Sequence, residues 1–173
     1  DLLKLAPDLG FEAEKIEPED VYDIAISSTL IRKALESGGI DTSTSYLGRP
    51  YTITGTVIHG DKIGRTIGFP TANLLVEEDY KLIPAEGVYV VEALVENETL
   101  TGMLSIGKRP TVLKNGGLRV EVFFVDFDKD IYGSKVTLKL LKWIRGDKKF
   151  ASMDELTKQI QQDLVYTLKY KGS

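Results

Sequence analysis

The sequence predicts a mainly β protein, an antiparallel barrel or sandwich flanked by a C-terminal helix and preceded by a short α/β segment. Three observations predict it. After Gly48 come β-rich runs, "YTITGTVI", "GVYVVEALV", "TGMLSIG", "RVEVFFVDF" and "KVTLKLLKWI", separated by Gly, Pro, Asn and Asp. Helical patterning is confined to the stretch before Leu47 and the stretch after Ser152. A chain of 173 residues, 42% of them hydrophobic, suffices for one domain, or one domain with a fragment of another.

Taken in order, "SSTLIRKALESGG" offers Ser27 and Ser28 as N-caps, apolar residues at Leu30, Ile31, Ala34 and Leu35, and a Gly38-Gly39 stop, which predicts one short amphipathic helix. In "RVEVFFVDF" a period of two puts Arg119, Glu121, Phe123, Val125 and Phe127 on one face. In "SMDELTKQIQQDLVYTL" a capping box from Ser152 to Glu155 precedes Leu156, Ile160, Leu164 and Leu168 at four-residue spacing. That is a helix packing one stripe on the sheet. No internal repeat or low-complexity segment interrupts the pattern.

Composition removes several function classes. The net charge is -4 with both signs interspersed, so there is no wide electropositive surface, and nucleic acid is not expected as a partner. Without cysteine there are neither disulfides nor thiolate metal sites, and a single histidine excludes a His-rich one. The longest apolar runs fall well short of the roughly 20 residues of a membrane helix, and no signal-peptide pattern opens the chain. The expectation is a soluble cytoplasmic protein without membrane contact. The chain starts at Asp1 without methionine and reads as a piece of a longer protein.

The chemistry is concentrated in "HGDKIGRTIGFPTAN", His59 to Asn73. It has the parts of a phosphate loop without the spacing: three residues separate Gly60 from Gly64, Arg65 stands where a lysine belongs, and a proline follows instead of a helix. Glycines still allow backbone N–H groups close to an anion, and Lys62 and Arg65 add positive charge, although a Gly-rich turn with solvated charges reads equally well. Pro70 biases Phe69 to an extended conformation, so Thr71 and Asn73 project to one side if the segment stays extended. A hydroxyl and an amide oxygen facing one point suit Mg²⁺ shared with nucleotide phosphates, and an Asx- or ST-turn is the alternative. Glu121, between apolar neighbours, is either an ion-pair partner of Arg119 or a general base.

"GRTIGFPTAN", "SIGKRPT", "VEVFFVDFDKDIYG" and "WIRGDKKFASMDELTKQIQQD", in this order, resemble the riboflavin kinase module, which in bacteria forms the C-terminal half of a bifunctional riboflavin kinase and FMN adenylyltransferase. The resemblance covers about residues 48 to 168. Upstream, "ISSTLIRKAL" is similar to the last signature of the adenylyltransferase half, whose His-x-Gly-His run has no counterpart here. The resemblance therefore implies a remnant of that half over 1–47 and a kinase domain over 48–173.

It also implies a six-stranded, Greek-key-like antiparallel barrel that phosphorylates riboflavin with ATP to give FMN and ADP. In that pattern Thr71 and Asn73 hold Mg²⁺ and nucleotide phosphate, and Glu121 is the base. Gly60, Lys62, Gly64, Arg65 and Tyr132 fall on the ATP side. Arg145, Lys148 and Phe150 match the flap over the flavin, with Phe124 and Asp126 also in flavin-contacting positions. Departures from the pattern are Ser105 for Asn, Val112 for Phe, Phe123 for His and Asp147 for Glu. The alternative is a catalytically silent flavin- or nucleotide-binding barrel with a regulatory role.

Overall fold

The computed structural model describes residues 2–14, 20–21, 24–60, 63–78, 80–108 and 118–171. A one-turn helix α1 (Leu2–Leu5) and a two-stranded ribbon of β1 (Asp20–Val21) and β2 (Ile24–Ala25) precede two helices, α2 (Ser28–Glu36) and α3 (Ile40–Leu47). Ser27 caps α2, its side-chain oxygen accepting from the Leu30 N–H. Gly38 ends the turn in the left-handed conformation, φ 77°, and a Cβ there would press on the Trp143 ring. The helix expected across this stretch is thus followed at once by a second, α3, which its run of Ser and Thr conceals.

Six strands form the barrel: β3 (Tyr51–Ile58), β4 (Ala72–Leu75), β5 (Gly87–Val95), β6 (Glu98–Lys108), β7 (Leu118–Phe124) and β8 (Lys135–Gly146). The sheet closes in the order β3-β4-β7-β6-β5-β8, antiparallel at every seam. The β5-β6-β7 meander is flanked by non-consecutive neighbours, which makes the connectivity Greek-key-like. The predicted runs coincide with five strands, and β4, only four residues long, is the one that local patterning misses. Register shifts between Val88 and Tyr89 and between Val90 and Val91 bend β5 against β8, as closure of a small barrel requires.

Alternate residues fill the barrel: Ile53, Val57, Leu104, Val122, Leu138 and Leu140 are each at most 2% exposed. Side chains of this size contribute roughly 1.5–3 kcal/mol apiece on burial. Leu35 of α2 and Ile40 of α3 belong to the same buried cluster, and the Ala85 N–H donates to the Leu35 carbonyl at 3.0 Å. The helices before residue 48 therefore share the core of the barrel.

Helix α5 (Met153–Thr167) follows β8. Ser152 accepts from the Glu155 N–H at 3.2 Å, and Glu155 reaches back to the Ala151 N–H at 3.1 Å, closing the expected box one residue early. The stripe differs from expectation. Leu156, Ile160 and Leu164 are half-buried and Leu168 is 44% exposed, whereas Asp163 and Thr167 are buried. The α5 face is turned partly toward a cavity, and a polar residue sits at its centre.

Candidate active site

Register around the barrel brings the site together. Asn73 on β4 pairs with Glu121 on β7, Glu121 with Ser105 on β6, Ser105 with Val88 on β5, and Val88 with Arg145 on β8. Directly paired residues share a face, so these five side chains form one row across five strands. Along β7, Val120, Val122 and Phe124 point inward and Arg119, Glu121 and Phe123 outward. The predicted face therefore holds as far as Phe123. It breaks at Asp126, which adopts a left-handed φ of 53°, and Phe127 turns back to pack edge-on against Phe124 with ring centroids 6.0 Å apart.

Two cavities touch Thr71, and the second is lined by Glu121, Ser105, Val88 and Arg145 of this row. The first, about 400 Å³, is bounded by Arg65 and Tyr132 together with Val57, Val122 and Phe124. Tyr132 is held there by its loop: the Val57 N–H donates to Ser134 and the Gly133 N–H to Val57, while the Tyr132 N–H bonds the Asp130 carboxylate at 3.0 Å. Its ring lies over His59 with centroids 3.8 Å apart.

The segment before β4 is not an open glycine loop. A single turn, α4 (Ile63–Thr66), occupies it, and the Phe69 N–H donates to Gly64 O at 2.8 Å. A Cβ on Gly64 would overlap the Phe69 carbonyl and come within 3.3 Å of Thr71 Oγ1; one on Gly60 would overlap the Asn73 side chain. Gly64 is needed because the Phe69 carbonyl sits against it, and Gly60 because the Asn73 side chain does. Asn73 is 6% exposed, its amide bedded in a cradle that a side chain at residue 60 would fill. Lys62 lies outside the described residues, as do Pro110, Thr111 and Val112.

No group of three or more His, Cys, Asp or Glu side chains among the described residues could hold a metal. Thr71 and Asn73 carry a hydroxyl and an amide oxygen, groups of the kind Mg²⁺ takes where phosphate and water complete its shell.

The second cavity, about 460 Å³, lies between β6–β7, the Asp147–Phe150 connection and α5. A small-molecule site of ordinary size would be 300–1,000 Å³. Phe69 and Phe123 meet edge-to-face, centroids 5.4 Å apart, and Met103, Leu156 and Ile160 continue the apolar wall. Glu121 stands on its floor with 12% of its side chain exposed and Oε2 2.5 Å from Arg119 Nη2. Glu121 therefore pairs with Arg119, as one reading of the sequence expects, and also lines the cavity.

Arg145, Lys148 and Phe150 all line this cavity. Arg145 is not a free cation. Its Nε and Nη2 contact the Asp163 carboxylate at 2.9 and 2.8 Å, and Gln159 adds a bond to Asp163 Oδ1 at 3.1 Å. The guanidinium and the Lys148 ammonium approach the Phe150 ring at 5.7 and 5.5 Å. Asp163, 3% exposed, is the site residue that sequence reasoning missed; its position seven residues after Leu156, on the same helix face, was the available signal.

Phe124 and Asp126 lie apart from Arg145, Lys148 and Phe150, the other residues expected on the flavin side. Phe124, 4% exposed, points into the barrel and reaches the first cavity, not the second, because it falls on the inward phase of β7. Asp126 leaves the strand and pairs with Lys171 at 2.6 Å, away from both cavities. Among the described residues no helix is long and apolar enough to cross a membrane.

Known proteins match this arrangement. The chain is 45% identical over 163 residues to the bifunctional riboflavin kinase/FMN adenylyltransferase of Listeria monocytogenes, covering 94% of this chain and 51% of the relative. To the protein of the same name from Escherichia coli K12 it is 39% identical, covering 99% and 54%. The chain thus spans about half the length of these curated relatives. A crystal structure described as a macrolide-efflux protein from Streptococcus pneumoniae superposes with a TM-score of 0.81 at 39% identity, covering 94% of this chain and 54% of that one. The profile of the Flavokinase family, riboflavin kinase, matches residues 47–171, which takes in all six barrel strands, both cavities and α5, and the chain therefore belongs to the riboflavin kinase family.

Proposed function

We propose that the chain transfers the γ-phosphate of ATP to the terminal ribityl hydroxyl of riboflavin, giving FMN and ADP. The observation that carries this reading is the meeting of two cavities at Thr71, two residues from Asn73, whose direct cross-strand neighbour Glu121 stands on the floor of the second. Donor and acceptor would enter from opposite sides. ATP takes the cavity of Arg65 and Tyr132; the flavin ring takes the apolar one between Phe69, Phe123 and Ile160.

Glu121 accepts the hydroxyl proton as the ribityl oxygen forms its bond to the γ-phosphorus. The bond from that phosphorus to the β,γ-bridging oxygen breaks, and ADP leaves with the electron pair. Charge on the transferred group would be neutralised in part by Mg²⁺, with Thr71 Oγ1 and the Asn73 amide oxygen as protein ligands. Apolar walls keep water, a competing acceptor, away from the phosphoryl group.

On the same footing, residues 1–47 are assigned to the end of an adenylyltransferase-like unit and 48–173 to the kinase unit. The α2–α3 pair serves the second structurally, since Leu35 and Ile40 complete its core. A cytoplasmic setting fits ATP as co-substrate.

The test is incubation with riboflavin, ATP and Mg²⁺ followed by separation of the flavins, in wild type and Glu121→Gln. Wild type should yield FMN; its absence overturns the function and favours the silent barrel. The glutamine keeps the shape of the side chain and should lower kcat by about 10²- to 10⁴-fold with near-unchanged affinities for riboflavin and Mg·ATP. A kcat within two- or threefold of wild type removes Glu121 as the base, since loss of an ion pair alone would cost no more than about 1 kcal/mol of stability and leave turnover intact.

A further inference from the structure

Arg119 is used by the proposed reaction only as a neighbour of the base, yet its guanidinium is half-engaged. Nη2 meets Glu121 Oε2 at 2.5 Å, while the adjacent Nε is buried and has no hydrogen-bond partner among the described residues. Nε and Nη2 share the edge with which arginine holds two oxygens of a carboxylate or phosphate at once. Glu121 occupies one half of that edge. An N–H withdrawn from water and left without an acceptor is a standing penalty, so this pose is poised to change when a second oxygen anion enters.

The surroundings permit the change. Arg119 lines the second cavity, and its cross-strand partner is Gly107, around whose missing Cβ nothing lies within 4 Å. Of the other cations there, Arg145 is tied to Asp163 and Lys108 to Glu86 at 3.0 Å, while Lys148 stands over the Phe150 ring on the far side from β7, in the connection to α5. Riboflavin brings no charge to the ribityl end. Its product does, at the position next to Glu121.

Resting on the proposed function, we infer that Arg119 is a product-recognition residue: its guanidinium turns from Glu121 to the phosphate monoester of FMN and makes the site hold phosphorylated flavin more tightly than riboflavin. No bond is made or broken in this exchange; a charge-assisted contact to a carboxylate is replaced by one to a phosphate.

The experiment is equilibrium binding without turnover, reading quenching of flavin fluorescence with FMN and with riboflavin, in wild type, Arg119→Met and Arg119→Lys. Wild type should prefer FMN, and the preference should shrink as ionic strength rises. Arg119→Met should weaken FMN binding by about 10- to 100-fold, as loss of a charge-assisted contact does, with riboflavin affinity changed less than about threefold. Arg119→Lys should recover part of the loss, since it keeps the charge without the fork. An unchanged FMN-to-riboflavin ratio in Arg119→Met overturns the inference alone, as does a salt-independent ratio near one in wild type, which needs no variant to fold. Wild type that binds neither flavin overturns the proposed function with it.

Discussion

Replacing Asp163 by Ala should cost both stability and flavin affinity, and the structure sets the scale. The carboxylate has 4% of its side chain exposed and receives three contacts from Arg145 and one from Gln159. Its removal leaves a guanidinium facing a gap, and breaking a buried pair from one side costs about 3–5 kcal/mol. Arg145 keeps 20% of its side chain exposed, beside an open cavity that water can enter, so the lower end applies, about 3 kcal/mol. For a chain of this size that lowers Tm by about 6–12 °C. Differential scanning calorimetry reads the first effect, and the KM for riboflavin set against that for Mg·ATP reads the second. Only the riboflavin value should rise, because Arg145 borders the second cavity and not the first. A double replacement, Arg145→Met with Asp163→Leu, should recover most of the stability by removing both charges while leaving riboflavin KM high. A Tm loss below about 2 °C for Asp163→Ala would refute the reasoning, since the pair would then be worth no more than an exposed one.

Gly60→Ala should push the Asn73 amide out of its cradle and raise the KM for Mg·ATP by roughly 10-fold or more, with riboflavin binding little changed. Unaltered Mg²⁺ dependence would remove Asn73 from the metal site. Tyr89 is fully buried, its hydroxyl donates to the Ala85 carbonyl, and burial pushes its phenol up to about 12. A folded value above the unfolded one, about 10, means that its contribution is intact below about pH 10 and lost between there and about pH 12. Urea midpoints followed through that window should therefore fall more steeply for wild type than for Tyr89→Phe; equal slopes would contradict the assignment.

How far the sequence discloses the molecule depends on the length scale of the pattern. β3 and β5 match their predicted runs end to end, because period-two alternation and turn residues are local signals. β4 escapes because Asn73 and Leu74 are both buried, which erases alternation over so few residues. The outward phase of Glu121 was legible, but the end of the strand before Asp126 was not, and extending the period too far moved Phe127 to the wrong face. Arg145 was readable as a cavity residue, while its partner on α5 was not, since an aspartate on a helix reads as solvated until the fold supplies the guanidinium. The sequence offers Gly60 and Gly64 as places where backbone could approach an anion; a further demand on them, the Asn73 side chain and the Phe69 carbonyl packed where a Cβ would sit, becomes visible only in the fold.

The row from Asn73 to Arg145 also says where the chain could accept foreign sequence. Adding or deleting one residue within β7 ahead of Glu121 would turn the carboxylate into the hydrocarbon interior and bring a valine to the surface, while preserving every backbone hydrogen bond the strand could make. The β5–β6 turn is different. Glu96 and Asn97 both have left-handed φ, 48° and 69°, and Val95 lies seven residues from Val88, about 23 Å along the strand. A peptide tag or an inserted reporter domain placed between Glu96 and Asn97 would therefore leave the row in frame, and would disturb only the exposed pairs of Glu96 and Glu98 with Lys129 at the edge of the first cavity.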